Sequence, residues 1–338
     1  MWMDTKTEAE EARRKHASLC QRVLNSLLSC TGDMVHLDKY MDDKWFVLQL
    51  AVWGLRGVAR VILANNPLCG ALILAALYWA SPWQGLLGTL GVLTSTLTAV
   101  IMGQDSAEVS AGLHGFNGML VSLLMGVFSS TGDWYWWLLL PVCLGSATCV
   151  FLFSGLAPVL DRWDLPVAVF PFNIIIVLYL LCTGHDNPYF PHHPAIPPGA
   201  LEPNGTELIA VEVLRGIPLG VGQIFACGAL GPSLLILGAV VLYSPLLAVH
   251  AVLGSAVGTL AAFLSAYSDI ALRNLLGTVG LPACSWAATL TATLMLLLNG
   301  SLAAYRIPIG QVRAPEYNLR SSSQWEAGNT ADRESTDV

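Results

Sequence analysis

The sequence predicts an all-α protein that crosses a membrane several times. Of its 338 residues, 54% are apolar and 12% are charged, whereas about 25% of the residues in an average soluble domain are charged. The mean hydropathy is +0.60, and apolar runs near the roughly 20 residues that a helix needs to cross a bilayer recur along the chain. This composition excludes ordinary soluble, disordered and collagen-like proteins. The net charge of −7 also argues against a nucleic acid partner, because binding one needs a basic face.

The basic residues are concentrated at both ends of the chain. Seven of the 16 Lys and Arg residues lie within 1–44, and four follow residue 300. Cytoplasmic flanks of membrane proteins are enriched in Lys and Arg, so we expect a cytoplasmic N-terminal segment at 1–44 and a cytoplasmic tail at 301–338. No apolar stretch precedes Trp45, so the N-terminus does not have the pattern of a cleavable signal peptide.

The apolar runs form two blocks, 45–184 and 213–300, which predict two transmembrane repeats. The first block has runs at 46–64, 68–80, 83–103, 115–128, 134–160 and 165–183, and the second at 213–227, 229–244, 245–266 and 281–299. The runs at 68–80 and 115–128 are short for a crossing and adjoin Asn, Gly or Pro, so they predict short re-entrant helices. Irregular backbone within a membrane is tolerated only where it is buried in protein or lines a wet cavity.

The segment between the blocks, residues 185–212, is rich in Pro and His and contains neither Lys nor Arg. It carries the sequon Asn204-Gly205-Thr206, the acceptor pattern for N-glycosylation. We therefore predict an extracellular loop that is glycosylated at Asn204.

Three short motifs recur in the same order in the two blocks. The pairs are Leu55-Arg56-Gly57 with Leu214-Arg215-Gly216, Ser81-Pro82 with Ser244-Pro245, and Leu165-Pro166 with Leu281-Pro282. Duplicated units, often inverted, build the pathway of many transporters. Pro82 and Pro166 are 84 residues apart, whereas Pro245 and Pro282 are only 37 apart. The second repeat is therefore predicted to lack 47 residues, or about two spans.

A combination of motifs between residues 45 and 315 is highly specific. The motifs are Asn65-Asn66-Pro67-Leu68-x-Gly70, Gly112-Leu113-His114-Gly115-Phe116-Asn117, Trp163-Asp164-Leu165-Pro166, Pro171-Phe172-Asn173, Thr183-Gly184-His185-x-Asn187-Pro188-Tyr189-Phe190-Pro191, Gly220-Val221-Gly222-Gln223 and Gly280-Leu281-Pro282-Ala283-Cys284. Together they resemble the urea transporter family of vertebrates. The resemblance implies a homotrimer in the plasma membrane, in which each subunit has its own pore between two inverted repeats. Urea would pass down its gradient through that pore without coupling to ions.

The resemblance also implies which positions line a urea pathway. Urea is small, flat, neutral and strongly dipolar, so entering hydrocarbon costs it several kcal/mol of lost hydrogen bonds. A pathway replaces those bonds with polar oxygens between flat apolar walls. Phe116 and Leu120 match the wall of the first half, Gln223 matches the polar residue at the mouth of the second, and Ser285 stands in place of a Thr. The predicted pathway residues are Arg60, Leu63, Phe116, Asn117, Leu120, Val169, Phe172, Gln223 and Ser285.

Three of these positions depart from the family pattern. Arg60 replaces a Gln, Leu63 replaces a Phe, and Val169 replaces a Thr, which removes one hydroxyl from the narrowest region. Arg60 has two interpretations. It either snorkels to the interface or pairs with an acid such as Glu108, or it faces the slot and donates to the carbonyl oxygen of urea.

The sequence leaves three functions open. The first is a passive urea pathway. The second is a transport-incompetent shortened form that associates with full-length relatives and modulates them, because the second repeat lacks a segment. The third is a channel for water, ammonia or another small amide, permitted by the changed pathway residues. No Ser-His-Asp arrangement, paired carboxylates or phosphate loop occurs, so we expect neither enzyme activity nor a cofactor, and the cysteines lack metal-ligand spacing.

Overall fold

Helices make up the regular structure of the residues that the computed structural model describes, which are 30–41, 43–129, 134–163, 167–183, 210–268 and 313–318. The predicted all-α class is therefore confirmed. The helices are α1 (Val35–Met41), α2 (Phe46–Arg60), α3 (Pro67–Ala80), α4 (Pro82–Ile101), α5 (Ser106–Ser110), α6 (Gly115–Phe128), α7 (Leu139–Leu160), α8 (Phe170–Thr183), α9 (Ala210–Gln223), α10 (Leu230–Tyr243) and α11 (Pro245–Ser268). Single 3-10 turns at Trp136–Leu138 and Asp161–Trp163 flank α7.

The helices coincide with the predicted apolar runs wherever the structure describes both. Among the described residues, Pro82–Ile101 and Trp136–Leu160 are long and apolar enough to cross a membrane, whereas α3, α6, α8 and α10 have only 14 residues each. The predicted run at 281–299 lies outside the described residues, as do the sequon at Asn204 and the pathway position Ser285.

The start of α3 is determined locally by Asn66 and Pro67. Asn66 Oδ1 accepts a hydrogen bond from Leu68 N at 2.9 Å, which satisfies one of the N–H groups that every helix start leaves unpaired. A proline at the first helical position has no N–H to leave unpaired. Ser81 and Pro82 begin α4 in the same way, with the Ser81 hydroxyl as the cap.

The second block repeats this backbone geometry 163 residues later. Both α3 and α10 have 14 residues. In each block the preceding helix ends at an equivalent position, α2 at Arg60 and α9 at Gln223. Each of those ends is followed by a residue with left-handed backbone, Leu63 at φ 63° and Ala226 at φ 56°. By this backbone comparison, Gln223 occupies in the second block the position that Arg60 occupies in the first.

The helix crossings repeat at the same interval. A Cβ added to Gly57 would lie 2.8 Å from Val92 Cγ2, and one added to Gly220 would lie 2.1 Å from Ser255 Oγ. The Leu-Arg-Gly motifs do not follow this interval, because they are only 159 residues apart. Arg56 of the first motif is buried in α2, whereas its counterpart in the second motif is exposed on α9. These two arginines are therefore not equivalent.

The helices α3 and α10 lie antiparallel at the boundary between the blocks. At one end, Asn66 Nδ2 at the start of α3 donates to Gly32 O at 2.8 Å. Gly32 N in turn donates to Tyr243 O, at the end of α10, at 3.1 Å. At the other end, Trp79 near the end of α3 lies against Gly231 near the start of α10. The two helices share a buried apolar cluster that includes Ile73, Leu77, Ile236 and Ala239.

The short helix α6 packs against α4 through small residues. A Cβ added to Gly91 of α4 would lie 2.3 Å from Gly118 O of α6. Ser95 Oγ of α4 donates to His114 O, just before α6, at 2.7 Å. Small residues at such crossings let two helix backbones approach closely. The position of α6 within the first block is therefore set by backbone contact.

Candidate functional site

Arg60 and Gln223 lie at opposite ends of the α3–α10 pair. Arg60 is the half-buried last residue of α2 and comes shortly before α3, while Gln223 is the exposed last residue of α9 and comes shortly before α10. Because α3 and α10 are antiparallel, their starts lie at opposite ends of the boundary between the blocks. The structure therefore has an equivalent polar side chain at each end of this boundary.

Arg60 lies at the end of the bundle where the Asp33 carboxylate accepts from the Tyr243 hydroxyl at 2.8 Å, and both of these groups contribute to its electrostatic environment. Glu108 faces a different group, with 3.4 Å between its Oε2 atom and His114 Nε2. The expectation that Arg60 pairs with Glu108 is therefore wrong. The reason is that Arg60 faces the α10 side of the bundle, whereas Glu108 packs beside the start of α6.

Leu63 lies in the turn between α2 and α3. Its left-handed backbone is uncommon for a residue with a side chain, and this conformation reverses the chain between the two helices. The residue is 75% exposed. Within the described part of the chain, Leu63 therefore lies at the same end as Arg60 but forms no part of a buried wall.

Most of the apolar residues that are predicted to line the pathway lie on α6 and at the start of α8. Phe116 is 7% exposed, and Leu120, one turn later on α6, is partly buried. Phe172 of α8 packs against the apolar cluster that α4, α6 and α7 share. Val169, which precedes α8, is exposed. The structure therefore groups these four residues within the first block.

Asn117 joins α6 to the start of α8. It is 1% exposed, its Nδ2 atom donates to Ala168 O at 3.2 Å, and its Oδ1 atom accepts from Phe172 N at 3.3 Å. Ala168 has left-handed backbone with φ 39°. Both polar groups of Asn117 are bound to backbone, so this side chain sets the position of Val169 and Phe172.

Arg56 is a buried charge to which the sequence pattern assigns no role beyond marking a duplication. It is 1% exposed, forms an ion pair with Asp38 of α1, and donates from Nη1 to Ser110 O at 3.2 Å. It therefore ties α1 and α5 to α2. An arginine inside an apolar helix is costly to bury without partners. Its presence in the sequence was therefore the signal that Arg56 has polar partners in the fold.

The family comparison decides what kind of protein contains this arrangement. The family described as urea transporter matches residues 51–264. The chain belongs to the urea transporter family. It is 36% identical to urea transporter 1 of Ovis aries over an alignment of 348 positions. The alignment covers 88% of this chain and 90% of the relative. The chain is 37% identical to urea transporter 1 of Rattus norvegicus over 338 residues, which cover 85% of this chain and 87% of the relative.

Membership of the urea transporter family confirms the class that the motifs predict. The family consists of membrane transporters, so the chain is a membrane protein and not an enzyme. Its homologues support urea transport as the function. The described pathway positions from Arg60 to Gln223 all lie within the matched residues.

Proposed function

We propose that this chain is a channel-like facilitative transporter that passes urea down its gradient through a pore within each subunit of a homotrimer. The observation that carries the proposal is the antiparallel packing of α3 and α10, with Arg60 and Gln223 at its two ends. Such packing is what two inverted repeats around one pathway require. The proposal includes the plasma membrane as location, cytoplasmic termini and a glycan on Asn204 in the extracellular loop.

The pathway would hold urea by the chemistry of its side chains. The Gln223 amide both donates and accepts hydrogen bonds, so it can bind the N–H groups and the carbonyl of urea. Arg60 only donates, so it would bind the carbonyl oxygen. Phe116 and Leu120 would supply flat apolar walls, and Ser285 a hydroxyl in the second half. Val169 would leave the first half without its hydroxyl.

The deciding experiment is urea uptake by vesicles that contain this chain alone. We expect saturable uptake that does not change when Na⁺ or H⁺ gradients are imposed. Vesicles with a version in which the missing second-repeat segment is restored provide the comparison. Uptake of water, ammonia and acetamide by the same vesicles tests the third function that the changed residues permit. Uptake of urea at the rate of protein-free vesicles would contradict the proposal.

A transport-incompetent shortened form is the second candidate, and a face of α11 that no other described residue covers favours it. Gly91 and Ser95 of α4 contact α6, and their equivalents 163 residues later are Gly254 and Gly258. Both glycines are exposed, and an added Cβ would meet nothing within 4 Å among the described residues. Such a face suits a helix of a full-length relative.

The relatives also support a missing segment. The match to the Ovis aries protein extends over 348 positions but includes 88% of this chain, or about 297 of 338 residues. About 50 positions of the relative therefore have no counterpart here, close to the 47 residues that the second repeat is predicted to lack. Co-purification with a full-length relative, without urea uptake by the chain alone, would favour the second candidate.

Replacing Arg60 with glutamine tests whether this residue faces the pathway. We expect Arg60→Gln to raise urea uptake about fivefold, because glutamine adds an acceptor for urea and one hydrogen bond contributes about 1 kcal/mol. Gln223→Arg is expected to lower uptake by a similar factor. Arg215→Gln, which changes an exposed arginine on α9, is the matched control and should leave uptake unchanged. Equal uptake by Arg60→Gln and the parent would remove the support for Arg60 as a pathway residue.

A further inference from the structure

Two segments from opposite ends of the chain meet at the end of the bundle where Arg60 lies. They are residues 30–33 and residues 313–318. Asp33 joins them, because its Oδ1 atom accepts from the Tyr243 hydroxyl at 2.8 Å and its Oδ2 atom accepts from Ala314 N at 3.4 Å. One carboxylate therefore binds the end of α10 and the C-terminal segment together.

The C-terminal segment is anchored by Glu316. Its carboxylate accepts from Ser244 Oγ at 2.7 Å and from Leu246 N at 3.0 Å. These groups lie at the start of α11, where the helix dipole and the unpaired N–H groups favour a negative charge. Glu316 therefore acts as an additional cap of α11, supplied from about 70 residues further along the chain.

The N-terminal segment is anchored by Asn66. Its Nδ2 atom donates to Cys30 O at 2.9 Å and to Gly32 O at 2.8 Å, while its Oδ1 atom caps α3. Gly32 N donates to Tyr243 O. Residues 30–33 are thus bound to α3 of the first block and α10 of the second, at the end of the bundle where Arg60 ends α2.

We propose that residues 30–33 and 313–318 form a clasp that closes the Arg60 end of the pathway, and that release of the clasp admits urea. The inference rests on the proposed function and adds a means of regulating it. While the clasp is closed, the Asp33 carboxylate is bound to Tyr243 and Ala314 at the end of the bundle where Arg60 lies, and residues 30–33 bridge the two blocks there. When the clasp opens, that carboxylate moves away with the tails and the guanidinium is free to bind the carbonyl oxygen of urea.

Two variants of the full chain loosen the clasp at different points. Glu316→Gln removes the charge that caps α11. Asp33→Asn keeps an acceptor for the Tyr243 hydroxyl but places an amide where the carboxylate bound Ala314 N. Asp43→Asn, which changes an exposed acid outside the clasp, is the matched control.

Hydrogen–deuterium exchange and urea uptake are measured on the same reconstituted samples. We expect the amides of 313–318 to exchange about tenfold faster in both clasp variants, and urea uptake to rise severalfold. Exchange within α3 should stay as slow as in the parent, which shows that the variants are folded. Asp43→Asn should match the parent in both measurements.

Three results would overturn the proposal. Unchanged exchange at 313–318 in both variants would show that these contacts do not hold the segment. Faster exchange with unchanged uptake, in a parent that conducts urea, would show that the clasp is no gate. Faster exchange without urea uptake in the parent or either variant would overturn the proposed function and the gate with it, and would leave the contacts a structural role only.

Discussion

Replacing Gly70 with alanine should destabilise the protein by about 3 kcal/mol, the upper range for inserting one methyl group into a packed contact. A Cβ at Gly70 of α3 would lie 1.8 Å from Leu55 O of α2. The obstacle is backbone, so α2 and α3 would have to move apart. The loss is expected even though alanine favours a helix over glycine by about 1 kcal/mol. Thermal unfolding in detergent micelles measures the change.

Gly155→Ala is the control for this prediction. Gly155 also lies within a helix, α7, but a Cβ there would meet nothing within 4 Å among the described residues. We expect its melting temperature to equal or slightly exceed that of the parent. Because Arg60 is the last residue of α2, moving α2 away from α3 should also reduce urea uptake in Gly70→Ala, whereas Gly155→Ala should not reduce it. Equal melting temperatures of the two variants would contradict the close backbone contact between α2 and α3 at Gly70.

Replacing Asn117 with alanine should have the second large effect, a loss of about 2 kcal/mol in stability together with a strong fall in urea uptake. The substitution removes both hydrogen bonds that hold the start of α8, and it leaves Ala168 O and Phe172 N without their partner. One hydrogen bond contributes about 0.5–1.5 kcal/mol to stability, and two are lost here. The uptake falls because Val169 and Phe172 lose the side chain that positions them.

Asn173 provides a matched asparagine on the same helix. Its Nδ2 atom donates to Val169 O at 3.0 Å in an exposed position, where water replaces a lost partner. Asn173→Ala should therefore change the melting temperature little. Asn117→Asp keeps the acceptor for Phe172 N but loses the donor to Ala168 O, and we expect an intermediate stability. Equal stability of Asn117→Ala and Asn173→Ala would contradict the positioning role of Asn117.

Much of the secondary structure could be predicted because it depends on local interactions. The apolar runs predict the described helices except α1 and α5, and the pairs Asn66-Pro67 and Ser81-Pro82 mark where α3 and α4 begin. Caps and proline act within one helical turn, so a single sequence carries that information. The motif combination likewise predicts the urea transporter family, which the comparisons confirm.

The candidate site was predicted less completely because its contacts link distant parts of the chain. The sequence suggested Glu108 as a partner for Arg60, but the structure places Glu108 beside His114. Asn117 was predicted as a pathway residue, and that role stays a proposal. Its two hydrogen bonds within the described residues go to backbone at the start of α8. These two bonds join residues that are 51 and 55 positions apart in the chain. No rule of sequence spacing connects residues at such separations.

The sequence by itself determined the membrane class, the apolar helices and the family, because apolar length, helix caps and motif order are local properties of the chain. Only the tertiary structure decided that Arg60 and Gln223 are equivalent, that α3 and α10 run antiparallel, and that residues 30–33 meet residues 313–318. Those facts depend on which helix surfaces pack together and on hydrogen bonds such as that from Ala314 N to Asp33. Packing and long-range hydrogen bonds arise when the chain folds, so they leave no periodic pattern in the sequence.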